Sequence, residues 1–372
     1  MAVDKRGRKL PKGIRQKGNR FEGRVTYQEK THSVYGDTVK ETQTKMTELK
    51  YKLEHGLFVE KSKLTLDQWF NVWIEEYKKN QVKIGTYTNY KYYYTGMIKE
   101  RFGSKYLADI RGEHIQKFYN DLFKEEYSLS TIKSVAIILN GCFKQAFKNG
   151  LIERNPILST ELPRKKEKKV KQALTKEQQE LFMEYAEDSY LYYLFAVLLR
   201  TGMRIGEIRA LRYSDIDKKA NVIHVTKTLK YIPEVGYIED TPKTRTSKRD
   251  IPLTVATLKL LEAQKRYWDL KIEKLDRYLF CNEVGEPLSR DKVQGEMDRI
   301  VKRIKADGHE FEHISPHIFR HTFATRAIEA GMQPQVLKTI LGHSSLAMTM
   351  DLYSHVMEDT KVNEMEKIDI AF

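Results

Sequence analysis

The chain has 372 residues, with 66 Lys and Arg against 51 Asp and Glu and a formal net charge of +15, which suggests two or three domains and makes a polyanion, nucleic acid first, a better partner than a merely basic enzyme would need. No apolar run reaches the ~18 residues of a membrane span, and "MAVDKRGRKLPKG" at the start lacks the apolar stretch of a secretory signal. The two cysteines, Cys142 and Cys281, give neither a disulfide framework nor a zinc-ligand spacing, and they fit a reducing cytosol.

Residues 1–60 read as a small separate unit. "GIRQKGNRFEGRVTYQEKTHSVYGDT" alternates polar with apolar or aromatic residues, and Gly18-Asn19 and Gly36-Asp37 supply turns, so two or three short antiparallel strands are expected. A helix follows in "TVKETQTKMTELKYKLEHG", with Thr38 as N-cap, Glu41 completing a capping box and Gly56 as the stop. The sheet carries Arg15, Lys17, Arg20 and Arg24. They form either a solvated charged face or a sheet that lays basic side chains into a DNA groove.

From Leu64 the period becomes helical. "TLDQWFNVWIEEYKK" sets Leu66, Trp69, Phe70, Trp73 and Tyr77 at three- and four-residue steps, a core-facing stripe. With the three segments that follow it, this predicts four helices over residues 64–158, an all-α domain. Within it "KIGTYTNYKYYY" interleaves tyrosines with lysines. Lys83, Thr86 and Tyr90 are candidates for phosphate contacts, the alternative being that Tyr87 and Tyr90 are half-buried packing. Residues 159–171 hold "RKKEKKVK" and no apolar period, which reads as a basic linker; Lys168 and Lys169 would lie near phosphates.

The remaining 172–372 form the larger domain, mainly helical with short strands at "ANVIHVTKTLKY", "YIEDTPKTR" and "KRDIPLT". Thr175 and Gln178 open its first helix as N-cap and capping-box partner. Arg204 follows a glycine turn at a helix start, and Glu207, three residues on, suits a bidentate pair with it, or an ordinary helix-start salt bridge. Lys243 falls in a turn between strands, where a solvated lysine is the commoner case. His317 and Arg320, at i and i+3, share a helix face, with Ser315 and Pro316 suited to the cap and first turn. A helix N-terminus favours anions. His343 again follows a glycine and reads as another helix start, and Tyr353 lies ten residues beyond it. Any one of these histidines taken alone is more often structural. As a set, two arginines, a lysine, two histidines and a tyrosine suit a phosphoryl centre whose charge grows in the transition state, with tyrosine as a nucleophile. No acidic group is spaced to hold Mg²⁺, no HExxH occurs, and no G-x-x-x-x-G-K-S/T loop speaks for ATP hydrolysis.

"TGMRIGEIRALRYSDID", "PKTRTSKRDIPL", "SPHIFRHTFAT" and "LGHSSLAMTMDLYSHV" resemble, in the same order, the motifs of the tyrosine recombinase (phage integrase) family. The resemblance spans residues 172–360 and is specific. Residues 64–158 are similar to the family's helical core-binding domain, and residues 1–60 resemble the arm-binding domain of integrases from phages and conjugative transposons. The His343-to-Tyr353 spacing looks like that of integrases from Gram-positive mobile elements. The fold implied is multidomain: a small β-sheet plus helix, an all-α core-binding domain, and a mixed, mainly-α catalytic domain with a small antiparallel sheet.

The resemblance also implies roles. Tyr353 would attack the scissile phosphate to give a 3′-phosphotyrosine and a free 5′-hydroxyl. Arg204 and Arg320 would clamp the non-bridging oxygens, joined by His343. Lys243 would protonate the leaving oxygen, and His317 would accept or steer the tyrosine proton. No cofactor, metal or ATP is expected. The implied partners are double-stranded DNA and three further copies in a tetramer, the tail "VMEDTKVNEMEKIDIAF" packing on a neighbour or, failing that, on its own domain. An excisionase and a host DNA-bending protein are admitted as accessory factors, no membrane is expected, and the setting is the cytoplasm, at the nucleoid when acting. The competing readings are a DNA-binding protein that does not cut, and a type IB topoisomerase.

Overall fold

The computed structural model describes residues 2–55, 63–164, 173–240, 248–272 and 277–356. The chain divides into two compact units, Met1–Glu167 and Lys168–Phe372.

In the first unit β1 (Ile14–Lys17), β2 (Arg20–Tyr27) and β3 (Lys30–Gly36) form an antiparallel sheet in that order. Gly18-Asn19 makes the β1–β2 turn, with Gly18 at φ 65°. Gly36-Asp37 is not a hairpin turn: it ends β3 and leads into α1 (Val39–Glu54). The β2–β3 turn is instead Gln28-Glu29, both at positive φ (45° and 64°), as a tight two-residue hairpin requires. Neither residue type advertises that geometry, so the sequence gives no turn signal there. Thr38 caps α1 as expected, accepting from the Glu41 N–H at 3.1 Å, but the Glu41 carboxylate reaches the Asp37 N–H rather than that of Thr38. The expected stop at Gly56 lies outside the described residues. Helix α1 packs so closely on the sheet that a Cβ at Gly23 would come within 2.4 Å of the Met46 sulfur. Side chains alternate across a strand, so Arg20, Glu22 and Arg24 of β2 point away from α1. Arg15 opposes Glu22 and Lys17 opposes Arg20 across the ladder, on that same open face.

Four helical runs follow, as the periodicity predicts. The first is α2 (Leu66–Val72), continuing in a wider π-helical turn over Trp73–Lys78. The second is α3 (Ile84–Tyr93), which runs through a π turn (Tyr94–Ile98) into α4 (Lys99–Phe102). The others are α5 (Gly112–Lys124) and α6 (Leu129–Lys148). Leu66, Trp69, Phe70 and Trp73 are buried, and Tyr77 packs partly buried against them. The Trp69 indole N–H donates to the Cys142 carbonyl at 3.0 Å, which ties α2 to α6 and gives the buried ring's polar edge a partner.

The second unit opens with α7 (Lys176–Tyr185), whose Thr175–Gln178 capping box is complete, then α8 (Tyr192–Thr201) and the short α9 (Ile205–Arg209). Strands β4 (Ile216–Asp217), β5 (Val222–Val225), β6 (Thr228–Ile232), β7 (Gly236–Asp240) and β8 (Arg249–Pro252) make an antiparallel β4-β5-β8 sheet and a β6-β7 hairpin. Helices α10 (Val255–Asp269), α11 (Arg290–Ala306), α12 (His317–Glu329), α13 (Pro334–Leu341) and α14 (Ala347–Val356) complete it. Phe195 and Leu198 of α8, Ile223, Ile251, Leu261, Ile300 and Phe319 share one buried core. A smaller cluster holds Ala324, Ala327, Ile328, Leu337, Leu341 and Tyr353. No helix among the described residues is long and apolar enough to cross a membrane.

Candidate active site

The site begins at the turn between α8 and α9. Gly202 ends α8 in the left-handed region (φ 61°, ψ 19°), and Arg204 is the N-cap residue of α9 with extended backbone. Its amide and its Nη1 each donate to Glu207, both at 2.8 Å, and Nη2 donates to the Gly342 carbonyl at 3.2 Å. The bidentate pair expected between Glu207 and Arg204 is made with Arg249 instead: Nη1 donates to Oε1 at 3.1 Å and Nη2 to Oε2 at 2.9 Å. Arg249 lies on β8 and presents its whole fork to the carboxylate, whereas Arg204, capping the same helix three residues before Glu207, also spends its amide on it. Burial pushes the Glu207 carboxyl upward, but the Arg249 bonds and charge, then those of Arg204, outweigh it and hold the group below its usual range.

Arg320, one turn into α12, is 4% exposed. Its Nη1 donates to the Gly202 carbonyl at 2.8 Å and its Nη2 to the Leu341 carbonyl at 2.7 Å. Burial, then the charge of Arg204, pulls its pKa below the usual value. Pro316, not Ser315, is the N-cap of this helix, and no side chain caps it; the Ser315 carbonyl accepts from the Ile318 N–H. His317 is exposed, its ring edge-on to His321 at 4.9 Å between centroids.

These arginines meet at the end of α13. The Arg249 Nε donates to the carbonyl of Ile340, Arg320 to that of Leu341 and Arg204 to that of Gly342. Three consecutive carbonyls thus hold three guanidinium groups. The last carbonyls of a helix have no intrahelical partner and carry its negative dipole end, so cations gather there. Gly342 supplies the left-handed C-cap (φ 65°). His343 therefore follows a helix end, not a helix start; α14 begins at Ala347. The His343 ring is 8% exposed with Nδ1 2.9 Å from the Thr349 hydroxyl. Burial, then the charges of Arg320, Arg204 and Arg249, lowers its pKa to about 4.

Tyr353, on α14, is 7% exposed in the small cluster, and its hydroxyl donates to the Met332 carbonyl. Burial pushes the phenol up. The structure thus brings Arg204, Arg320 and His343 to one helix end, with His317 one turn before Arg320 and with Tyr353 held by a backbone carbonyl. Lys243 lies outside the described residues, as do Lys168 and Lys169. Two participants were not singled out from the sequence. Arg249 had a signal: in "KRDIPL" strand alternation puts it on the same face as Ile251, and both are buried. Thr349, six residues after His343, had none.

Of the candidate DNA contacts, Arg15, Lys17, Arg20 and Arg24 share the open sheet face. Arg15 donates to Glu22, Arg24 lies 3.5 Å from it, and Ser33 and Tyr35 donate to its other oxygen. The Arg15 bond, then those of its neighbours, holds Glu22 at about 2. Lys83 is the N-cap of α3, and Thr86 donates its amide to the Lys83 carbonyl. Tyr87 and Tyr90 are half-buried: Tyr87 donates to Glu75, and Tyr90 stacks on Trp73 at 5.8 Å.

Known families, proteins and structures are similar to this chain. Residues 65–123 match a phage integrase N-terminal SAM-like domain. The chain is 28% identical over 362 residues to a "Tyrosine recombinase XerC-like" protein of Caldanaerobacter subterraneus subsp. tengcongensis, covering 91% of each. It is 27% identical over 335 residues to the transposase of transposon Tn916 from Enterococcus faecalis, covering 87% of this chain and 82% of that one. Its fold is similar to the Tn1549 transposon integrase in complex with a circular intermediate DNA, with a TM-score of 0.71, 27% identity, and coverage of 82% of this chain and 100% of that one. Residues 172–359 match the phage integrase family, half of the sequence and all of the described site, and the chain belongs to that family.

Proposed function

We propose that this chain is the site-specific recombinase of a mobile element, integrating and excising it by cutting and rejoining DNA through a 3′-phosphotyrosine at Tyr353. The observation that carries the reading is the gathering of Arg204, Arg320 and His343 at the end of α13, one helix before Tyr353. The two arginines bind the non-bridging oxygens of the scissile phosphate and stabilise charge as it builds. His343 is neutral at pH 7; in the tautomer whose Nδ1 accepts from the Thr349 hydroxyl, 2.9 Å away, its Nε2–H donates to the same phosphate. Tyr353 leaves the Met332 carbonyl, its oxygen bonds to phosphorus as the bond to the 5′-oxygen breaks, its proton passes to His317, and Lys243 protonates the leaving oxygen. One ester bond replaces another, so a second 5′-hydroxyl reverses the step with no ATP.

Residues 1–60 act as the arm-binding domain, residues 64–158 as the core-binding domain, residues 159–171 as a basic linker and residues 172–372 as the catalytic domain. The open basic sheet face and the net charge of +15 support DNA as partner. The working assembly is a tetramer on DNA, the segment after Val356 packing on a neighbour; exposed Leu346, Met348 and Met350 offer that segment an apolar surface. It works in the cytoplasm, at the nucleoid. The test is a supercoiled plasmid carrying both element ends, incubated in EDTA without ATP. A discrete excision circle is expected. Relaxation of any plasmid regardless of sequence would favour a type IB topoisomerase and overturn the reading.

A further inference from the structure

We infer that Arg249 is a positioning residue of this site: it occupies the Glu207 carboxylate so that the guanidinium of Arg204 stays placed and open to the phosphate. This rests on the recombinase reading above. The side chains of Arg249 and Glu207 are 2% and 3% exposed, while that of Arg204 is 36% exposed. Of the two arginines on this carboxylate, Arg204 is the one open to a ligand. Glu207 Oε1 accepts from Nη1 of both arginines, and Oε2 accepts from Arg249 Nη2 and the Arg204 amide. Four bonds saturate the carboxylate. A carboxylate three residues after a helix-start arginine would, left alone with it, close into a bidentate pair and occupy its paired donors. Arg249 takes both oxygens, so Arg204 keeps a single side-chain bond to Glu207 and turns Nη2 to the Gly342 carbonyl at 3.2 Å, the longest of these contacts. The Arg249 Nε donates to the Ile340 carbonyl. Arg249 thereby couples Glu207 to the helix end that also holds Arg320 and precedes His343. With its side chain 2% exposed, Arg249 is closed to the phosphate, so its effect there passes through Arg204.

The test uses full-length protein and a nicked suicide duplex from the junction of the element that carries the gene. Two versions are made, one with a normal scissile phosphodiester and one with a methylphosphonate there, whose missing negative oxygen needs less cationic stabilisation. Wild type, Arg249→Gln and Arg249→Lys are compared for melting temperature, duplex affinity and single-turnover adduct formation. Arg249→Gln is expected to bind within about threefold of wild type and to cleave the phosphodiester about a hundredfold slower, the scale of losing one oxyanion donor. On the methylphosphonate its deficit is expected to shrink to tenfold or less, in ratio to wild type. Arg249→Lys keeps the charge but cannot reach both oxygens, so it is expected to fall between, with the same shrinkage; it carries the test if Arg249→Gln does not fold. A deficit equal on both duplexes would make Arg249 a structural residue and overturn the inference, as would cleavage at the wild-type rate. If wild type itself forms no adduct, the recombinase reading fails and the inference with it. A wild-type adduct with an unaffected variant sinks the inference alone.

Discussion

Buried beside three arginines, His343 titrates at about 4, well below the 6.5 of a free imidazole. Its neutral form is the one the fold favours. A depressed histidine contributes stability that is fully present above pH 6.5 and is lost as pH falls from there towards 4, on the order of 3 kcal/mol in all. Melting temperature measured from pH 7 to pH 4 should therefore fall more steeply for wild type than for His343→Gln; parallel curves would mean that His343 is not held neutral. The depression was not legible in the sequence. The motif gives the residue, but the charges responsible arrive from α9, α12 and β8, and one of them, Arg249, was not singled out. Glu207 was seen as the partner of Arg204 from its spacing, and it is. Spacing along one helix is blind to a competitor on a strand more than forty residues away. Glu22 repeats the device in the N-terminal sheet, as a carboxylate buried among Arg15, Arg24, Ser33 and Tyr35. There the four basic positions were legible, because strand alternation alone puts them on one face.

Among elements, the α8–α9 turn does most to assemble the site. A Cβ on Gly202 would come within 2.4 Å of the Phe323 ring and 2.9 Å of Leu341, at a φ of 61° that side chains disfavour. Gly202→Ala should cost ~1–2 kcal/mol from the left-handed backbone and ~1–3 kcal/mol from overpacking. Because the Gly202 carbonyl accepts from Arg320, cleavage should slow as well. Urea unfolding checks the first, and a midpoint shift worth less than ~0.5 kcal/mol, the size of an ordinary surface substitution, would contradict it. Amphipathic helical runs such as Leu66–Lys78 and α6 were legible because their apolar period repeats over several turns. Two local features were not. The Gln28-Glu29 turn lacks glycine and asparagine, and the sequence put a helix start at His343 because a glycine before a histidine reads alike at either end of a helix. Gly342 proves to be the C-cap of α13, and that placement lets α13 offer its last carbonyls to the arginines.

Across the whole molecule, the positive charge that first suggested nucleic acid is concentrated in part on the open face of the N-terminal sheet. Deleting residues 1–60 should leave cleavage of a core site within a few-fold of wild type while lowering integration, measured by intermolecular recombination. Equal integration by the truncated and full chains would remove the arm-binding role. Affinity of the full chain for duplex DNA should also fall steeply with salt, about 0.9 in log–log slope per phosphate contact. The family and the mainly helical architecture of residues 172–356 were legible because four motifs occur in order; the state of Tyr353 was not, since its hydroxyl is held by a backbone carbonyl that no sequence pattern marks. With Tyr353 docked on Met332, its release would be a step of the proposed reaction, and its chemistry is the central claim. The most direct measurement is a nicked suicide duplex from the element's junction, mixed in EDTA with wild type and with Tyr353→Phe, and run on a denaturing gel. A covalent adduct from wild type and none from Tyr353→Phe is expected. Adduct from both proteins would move the nucleophile to another tyrosine, Tyr278 being the next to test; tight binding with no adduct from wild type would make the chain a DNA-binding protein that does not cut.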